Sequence, residues 1–316
     1  MSVQRAYEIA DDILFPAALA VDAADRVPET HLDLLAAEGF YGSPRKDLGL
    51  LVEALASGCL CTAFVWLQHH TPLFATAEAG RADLAAAFAS GERRGGIALA
   101  GLRSPHNPMR VRATERGFVL SGEVPWVTGW DMIDDIYLAA RDQNDVIHYL
   151  LVEAVSGPAL LVSPLELVAV QASRTVNLAF EDHFVPGDRL LRTQPFDEWM
   201  AQDSGGSALN GFLALGVVNR CCQLLGPTAL DAELTAARSA LVNADAAGTP
   251  AARAVASELA LRAAATLAVT TGARAVLRDQ HAQRLVREAT FLLVFGSRPA
   301  IKTELLARLA PPVPPR

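Results

Sequence analysis

The hydrophobic period of this chain changes twice, and that double change limits the fold more than any single motif. Up to about residue 94 the apolar positions recur at helical spacing, in Ile9, Ile13 and Leu14, then in Leu32, Leu35 and Ala36. Gly39 and Gly42 punctuate the second run. Leu50 to Leu67 is almost wholly apolar, which predicts one helix buried on all sides. From Gly95 to Leu191 short β runs take over: Gly117 to Gly122, Ile136 to Ala140, Ile147 to Val152 and Leu160 to Val162. Asp, Asn, Gly and Pro separate them, and this pattern predicts a small β-barrel or sandwich. Beyond Ser204 the chain is rich in Ala, Leu and Arg and the period is helical again. Thr249-Pro250 reads as a helix start, and the tail from Pro311 to Arg316 cannot continue one. The expectation is an α+β chain in three blocks. They are an N-terminal all-α domain over 1–94, a central small β-barrel over 95–193 and a C-terminal helical bundle over 204–310. A polar Gly/Ser linker near 194–206 joins the last two.

With 316 residues, 51% of them hydrophobic, the chain is long enough for a large core. A net charge of -8 without a basic run argues against nucleic-acid binding, which depends on clustered Lys and Arg. The N-terminus carries Glu8, Asp11 and Asp12 and lacks the apolar core of a signal peptide. No uninterrupted apolar run reaches the roughly 20 residues that cross a bilayer. Cys59, Cys61, Cys221 and Cys222 fall in close pairs that make poor disulfides, and no His stands at zinc spacing. They read as reduced, buried apolar residues, which implies no metal and a cytoplasmic location.

Trp126 and Thr128 stand two apart in Ser121-Gly-Glu-Val-Pro-Trp-Val-Thr-Gly129. On a strand such positions share a face, so an indole and a hydroxyl would project together. That pairing suits a flat heteroaromatic ligand; a core aromatic beside an ordinary strand threonine is the plainer alternative. His69 and His70 close the apolar run. Adjacent helical residues diverge by about 100°, so the two cannot easily share a metal. They read as helix-end histidines near terminal carbonyls; the sharper alternative makes one of them an acid, base or donor in a substrate or cofactor cavity, so both stay catalytic candidates. Glu181 and Asp182 read as polar caps at a strand end. Arg284 and Arg287, three apart, share a helix face that would meet either solvent, an interface or an anion.

The layout and four segments resemble the acyl-CoA dehydrogenase family. The segments are Val27 to Gly42, Ser121 to Gly129, Ser173 to Leu191 and Arg284 to Phe291. The resemblance spans most of the chain, and its specific part is 121–129 and 173–191. It implies FAD, with Trp126, Val127 and Thr128 at the flavin ring and Gly101, Arg103 and Ser104 at the phosphates, although Leu99 to Pro105 matches the family loop poorly. It implies an acyl thioester substrate, possibly a CoA ester, and places the His69–His70 helix along the acyl pocket. The family's catalytic carboxylate sits on a late loop; here Phe295 takes the aromatic place and Gly296 the place of the glutamate. The family's second arrangement puts it on the first bundle helix, where this chain has Leu209-Asn210. Counterparts of the family's Arg-x-Phe-Gly and Gln-x-x-Gly-Gly elements are missing near Arg238 and Gly272. The implied protein is a flavin-dependent oxidoreductase with a non-standard or missing base. It would form a homo-oligomer, or a hetero-oligomer with a homologue. The alternatives are a catalytically silent subunit and a flavin-free ligand-binding scaffold.

Overall fold

The computed structural model describes residues 2–104, 106–203 and 207–310, so Pro105, part of the expected linker and the proline-rich tail lie outside it. Helices come first: α1 (Val3–Ile9), α2 (Phe15–Asp22), α3 (Glu29–Ala37), α4 (Leu48–Gly58), α5 (Leu60–Gln68), α6 (His70–Glu78) and α7 (Ala82–Ser90). Strands β1 (Gly95–Ala98), β2 (Arg110–Thr114), β3 (Gly117–Val127), β4 (Asp135–Arg141), β5 (Val146–Glu153), β6 (Leu160–Pro164), β7 (Val176–Pro186) and β8 (Leu190–Pro195) follow. The chain ends in α8 (Phe196–Asp203), α9 (Leu209–Leu225), α10 (Ala229–Asn243), α11 (Thr249–Thr271), α12 (His281–Val294) and α13 (Pro299–Leu309).

The apolar run from Leu50 to Leu67 is buried but is not one helix. It breaks at Cys59, whose backbone is extended (φ −146°, ψ 109°). Gly58, just before the break, is pressed against the turn between α1 and α2: a Cβ there would lie 2.7 Å from the Ala10 carbonyl oxygen. The chain turns where this contact leaves no room for a side chain, and α5 starts in a new direction.

The first and last helical blocks share one hydrophobic core, including Leu14, Leu55, Phe64, Leu213, Val217, Leu259 and Leu285. Glycine makes the central α4–α9 contact close. A Cβ on Gly216 would sit 2.5 Å from the Ala56 Cβ and 2.7 Å from the Glu53 oxygen. Glu53 is fully buried, and the Arg238 guanidinium forks onto it from α10 at 2.8 and 2.5 Å.

The strands form a single sheet in the order β6-β7-β3-β2-β4-β5-β8, with β1 beside β4. The expected barrel is not closed: the end strands β6 and β8 do not pair, and both are short, with 5 and 6 residues. β2 and β4 meet in one parallel pair, Arg110 with Arg141. Buried Asp135 ties the sheet down, accepting from Arg93 Nε at 2.7 Å and from Arg189 Nη1 at 3.4 Å. Among the described residues no helix is long and apolar enough to cross a membrane. All four cysteines are buried and unbridged. Burial pushes the Cys221 thiol up to about 12 and the Cys222 thiol up to about 11, which keeps both protonated and unreactive.

The α4–α9 contact generates a stability prediction. Gly216→Ala should cost about 1–3 kcal/mol, because a close-packed core admits an extra methyl only by moving backbone. Gly157, with nothing within 4 Å of its Cβ position, is the control; Gly157→Ala should change stability by less than about 0.5 kcal/mol. Urea unfolding of both variants checks the contrast, and equal midpoints would show that α4 and α9 separate freely.

Candidate functional site

Two segments far apart in sequence meet on α5. Val65 lies against the turn after β3, where a Cβ built on Gly129 would be 3.7 Å from Val65 Cγ1. Its neighbour Phe64 packs edge-on against Phe295, ring centroids 4.7 Å apart, and against Phe291 at 5.3 Å. The Gly129 turn and Phe295 thus meet consecutive residues of one helix.

The two-residue period does not carry Trp126 and Thr128 onto one face as expected. The β3–β7 register shifts between Val124 and Val127, and Trp126 adopts the left-handed backbone region at φ 63°. This bulge turns the indole outward, 60% exposed, while Thr128 is only 4% exposed. The Thr128 hydroxyl is 3.1 Å from that of Thr175, which is 2.7 Å from that of Ser173, forming a buried chain of three hydroxyls. Asp131, Val170 and Arg174 also have φ near 50–64° and flank the same turn. The Gly129 and Trp130 amides donate to the Ser173 and Arg174 carbonyls and lace the turn together. A β-branched residue such as Val170 rarely adopts this conformation, and clustered backbone strain marks places where geometry is over-determined.

Gly101, Arg103 and Ser104 lie on the 3₁₀ turn Ala100–Arg103 and its cap. The space a Cβ would need at Gly101 is filled by Met109 Cγ at 2.5 Å and Val124 Cγ2 at 2.7 Å, so this glycine is used for packing. The Arg103 guanidinium lies over the Trp199 ring of α8, 4.4 Å from its centroid. The arginines on α12 have local partners. Arg284 is buried against Glu288 at 2.5 Å, and Arg287 holds Asp22 and the Val168 carbonyl. Asp182 accepts from the Ser121 hydroxyl at 3.1 Å.

His69 and His70 are buried among Phe40, Tyr41, Trp66 and Phe88. His69 Nδ1 accepts from the Gly95 amide at 3.2 Å, so the proton is on Nε2, which donates to the Phe88 carbonyl at 3.0 Å. This neutral tautomer joins the α5–α6 corner to the start of β1. Burial lowers the pKa of His69 well below the usual value and that of His70 to about 4.

Gly296 has φ 56°, and a Cβ there would lie 2.6 Å from Asn210 Nδ2 and 3.9 Å from Arg253 Nη1. The two positions that the family resemblance offers for a base, on the late loop and on the first bundle helix, therefore converge in space. Sequence reading missed the third member, Arg253, 1% exposed on α11. Its Nη1 donates to the Ser207 carbonyl at 3.1 Å and the Gly296 carbonyl at 3.4 Å, and its Nη2 to the Phe295 carbonyl at 3.0 Å. Arg253, one of two arginines in the Ala-rich run of α11, gave no periodic signal.

A separate cleft of about 430 Å³ lies on the far side of the 129–134 turn. It is lined by Glu29, Asp33, Glu92, Asp131 and Asp134 with Arg94 as the one cation, a field that repels anionic ligands. No group of described residues there or elsewhere is arranged to hold a metal ion.

No protein-family model matches the chain. It is similar to the mitochondrial short-chain specific acyl-CoA dehydrogenase of Bos taurus, 27% identical over 213 residues, which are 60% of this chain and 52% of that protein. The Homo sapiens counterpart is 26% identical over 216 residues, with the same coverage. The chain spans about half the length of the curated relatives it matches. Among solved structures, butyryl-CoA dehydrogenase from Megasphaera elsdenii superposes with a TM-score of 0.82 at 16% identity, over 96% of this chain and 95% of that one. A glutaryl-coenzyme A dehydrogenase in complex with glutaryl-CoA gives 0.82 at 16% identity, covering 98% and 94%. A chain from a structure described as an electron transferring flavoprotein of Acidaminococcus fermentans gives 0.83 at 18% identity, covering 98% and 96%. At such identities these neighbours establish the fold.

The buried histidines predict an acid-sensitive fold. His70 binds its proton at about pH 4 in the folded chain, against 6.5 for an ordinary histidine. As pH falls below 6.5 the unfolded chain takes the proton first, so stability is lost between pH 6.5 and 4. From His70 alone the loss should approach about 3 kcal/mol. Urea unfolding at stepped pH should show His70→Gln with a shallower loss than wild type; parallel curves would place the sensitivity elsewhere.

Proposed function

We propose that this chain, a member of the acyl-CoA dehydrogenase family by sequence similarity and fold, is an FAD-dependent oxidoreductase acting on an acyl thioester such as a CoA ester, without the family's usual carboxylate base. One observation supports the reading: the Trp126 indole stands 60% exposed at a strained bulge of β3, beside the turn that packs on α5. An indole fixed outward by a strained bulge, with no ring stacked on it among the described contacts, is a ready face for a flavin ring.

In this reading the Trp126 indole would be the ring platform, while Val127, fully buried in the sheet core, and Thr128, bonded to Thr175, hold the strand behind it. Arg103 and Ser104 belong to the phosphate end, with Arg103 leaving Trp199 to serve there. FAD bound at this place supplies a hydride acceptor. The chain's own contribution is to orient the acyl group beneath it and to exclude water with Phe64, Phe291 and Phe295. Proton removal is where it departs from the family. The groups around Gly296 are an amide and a guanidinium, and neither accepts a proton from carbon at neutral pH. That chemistry also favours a second reading, a silent subunit paired with a competent homologue. Assembly with another copy of the chain completes the first reading.

Equilibrium dialysis of the purified chain against FAD tests the proposal. Wild type should take up flavin, and Trp126→Ala should weaken uptake about tenfold, or about 1.4 kcal/mol. Turnover of butyryl-CoA by the flavin-loaded protein should be weak. An absence of FAD uptake at any concentration would defeat the flavin reading; uptake only with a homologue present would establish the silent-subunit reading instead.

A further inference from the structure

The short helix α8 follows directly on the end strand β8 and is anchored to the rest of the chain by few groups. Trp199 is its one buried side chain among those described, 7% exposed. The indole packs with Tyr137, Ala139, Ile147 and Tyr149 on the face of β4 and β5 opposite the one that carries Leu138 and Leu150. The N-terminal end of α8 is pinned twice. The Phe196 amide donates to the Asp145 carbonyl at 2.9 Å, and the Arg141 guanidinium lies over the Phe196 ring, 4.2 Å from its centroid. Toward the other end, Gln202 accepts from the Gln194 amide at 3.0 Å, and the Trp199 ring is the main anchor.

That ring also meets the turn assigned above to the phosphate end. Leu99 and Leu102 belong to the same apolar cluster as Trp199, so α8 and the 99–103 turn pack as one unit. Arg103 lies over the indole at 4.4 Å from its centroid. Burial accounts for the seat of the indole on the sheet; it does not require a cation on the ring. A guanidinium in this place is attracted through its charge by the ring quadrupole. A phosphate that pairs with Arg103 neutralises the charge, and the attraction to Trp199 falls with it. Such coupling is reciprocal: to the extent that phosphate binding weakens the Arg103–Trp199 contact, that contact weakens phosphate binding.

We propose that α8 is a latch on the cofactor site: Trp199 holds Arg103 in the ligand-free chain, and a phosphate-bearing flavin that takes Arg103 frees the Trp199 end of the helix. The Phe196 end stays pinned by Arg141 and Asp145, so α8 swings from its N-terminus. The identity of the ligand rests on the flavin reading; the latch itself rests on the Arg103–Trp199 contact.

Two measurements on the full chain test it, with FAD and riboflavin as probes. Riboflavin has the ring system without the phosphates. Hydrogen exchange in wild type should show the α8 amides around Trp199 exchanging about tenfold faster when FAD is bound, and unchanged with riboflavin. Equilibrium dialysis should show Trp199→Leu taking up FAD about fivefold more tightly than wild type, with riboflavin uptake equal in the two. In an Arg103→Ala background the Trp199 substitution should have no effect on FAD. FAD binding that slows or does not change α8 exchange overturns the latch and leaves the flavin reading standing, as does a Trp199→Leu chain that binds FAD no better than wild type. Uptake of neither flavin by wild type overturns both. Should Trp199→Leu fail to fold, the wild-type exchange decides alone.

Discussion

The close approach of α4 and α9 sets the frame on which the rest of this molecule depends. Two helices can pack at short range only where side chains are small, and Gly216 and Ala56 provide that place. The contact joins the first and last thirds of the sequence into one core. It brings Glu53 into full burial, and Arg238 compensates its charge. Glu53 without Arg238 would be an uncompensated charge in a low-dielectric interior, so packing and ion pair hold only together. The position of α5 follows from this frame: α5 begins where α4 stops at Gly58, and its direction places Val65 and Phe64 at the seam.

The order of helices, strands and helices was legible in the sequence because periodicity reports burial, and burial is local to each element. The four segments that resemble acyl-CoA dehydrogenases also pointed to a fold that the solved structures share. Four features were not legible, each for a physical reason. Closure of the sheet depends on whether β6 and β8 pair, and a pairing between end strands leaves no periodic trace in either one. The break at Cys59 is set by contact between Gly58 and the Ala10 carbonyl, a tertiary event inside an unbroken apolar run. The bulge at Trp126 inverts the alternation that a strand would impose, and no glycine at that position announces its positive φ. Arg253 was missed most completely. Its partners are backbone carbonyls from two distant segments, and no side-chain pattern encodes such partners.

Backbone strain is concentrated around the turn after β3. Trp126, Asp131, Val170 and Arg174 are four of the six non-glycine residues with positive φ among those described, and all four flank the turn after β3. Each such residue costs on the order of 1 kcal/mol or more, and a fold under no local demand would distribute such positions across its loops. Arg253 carries a separate cost, a buried charge opposed by carbonyl dipoles at Ser207 and at the C-terminal end of α12. Such costs persist only where packing or a ligand offsets them, and a flat ring laid on the exposed Trp126 indole would offset the strain of its bulge.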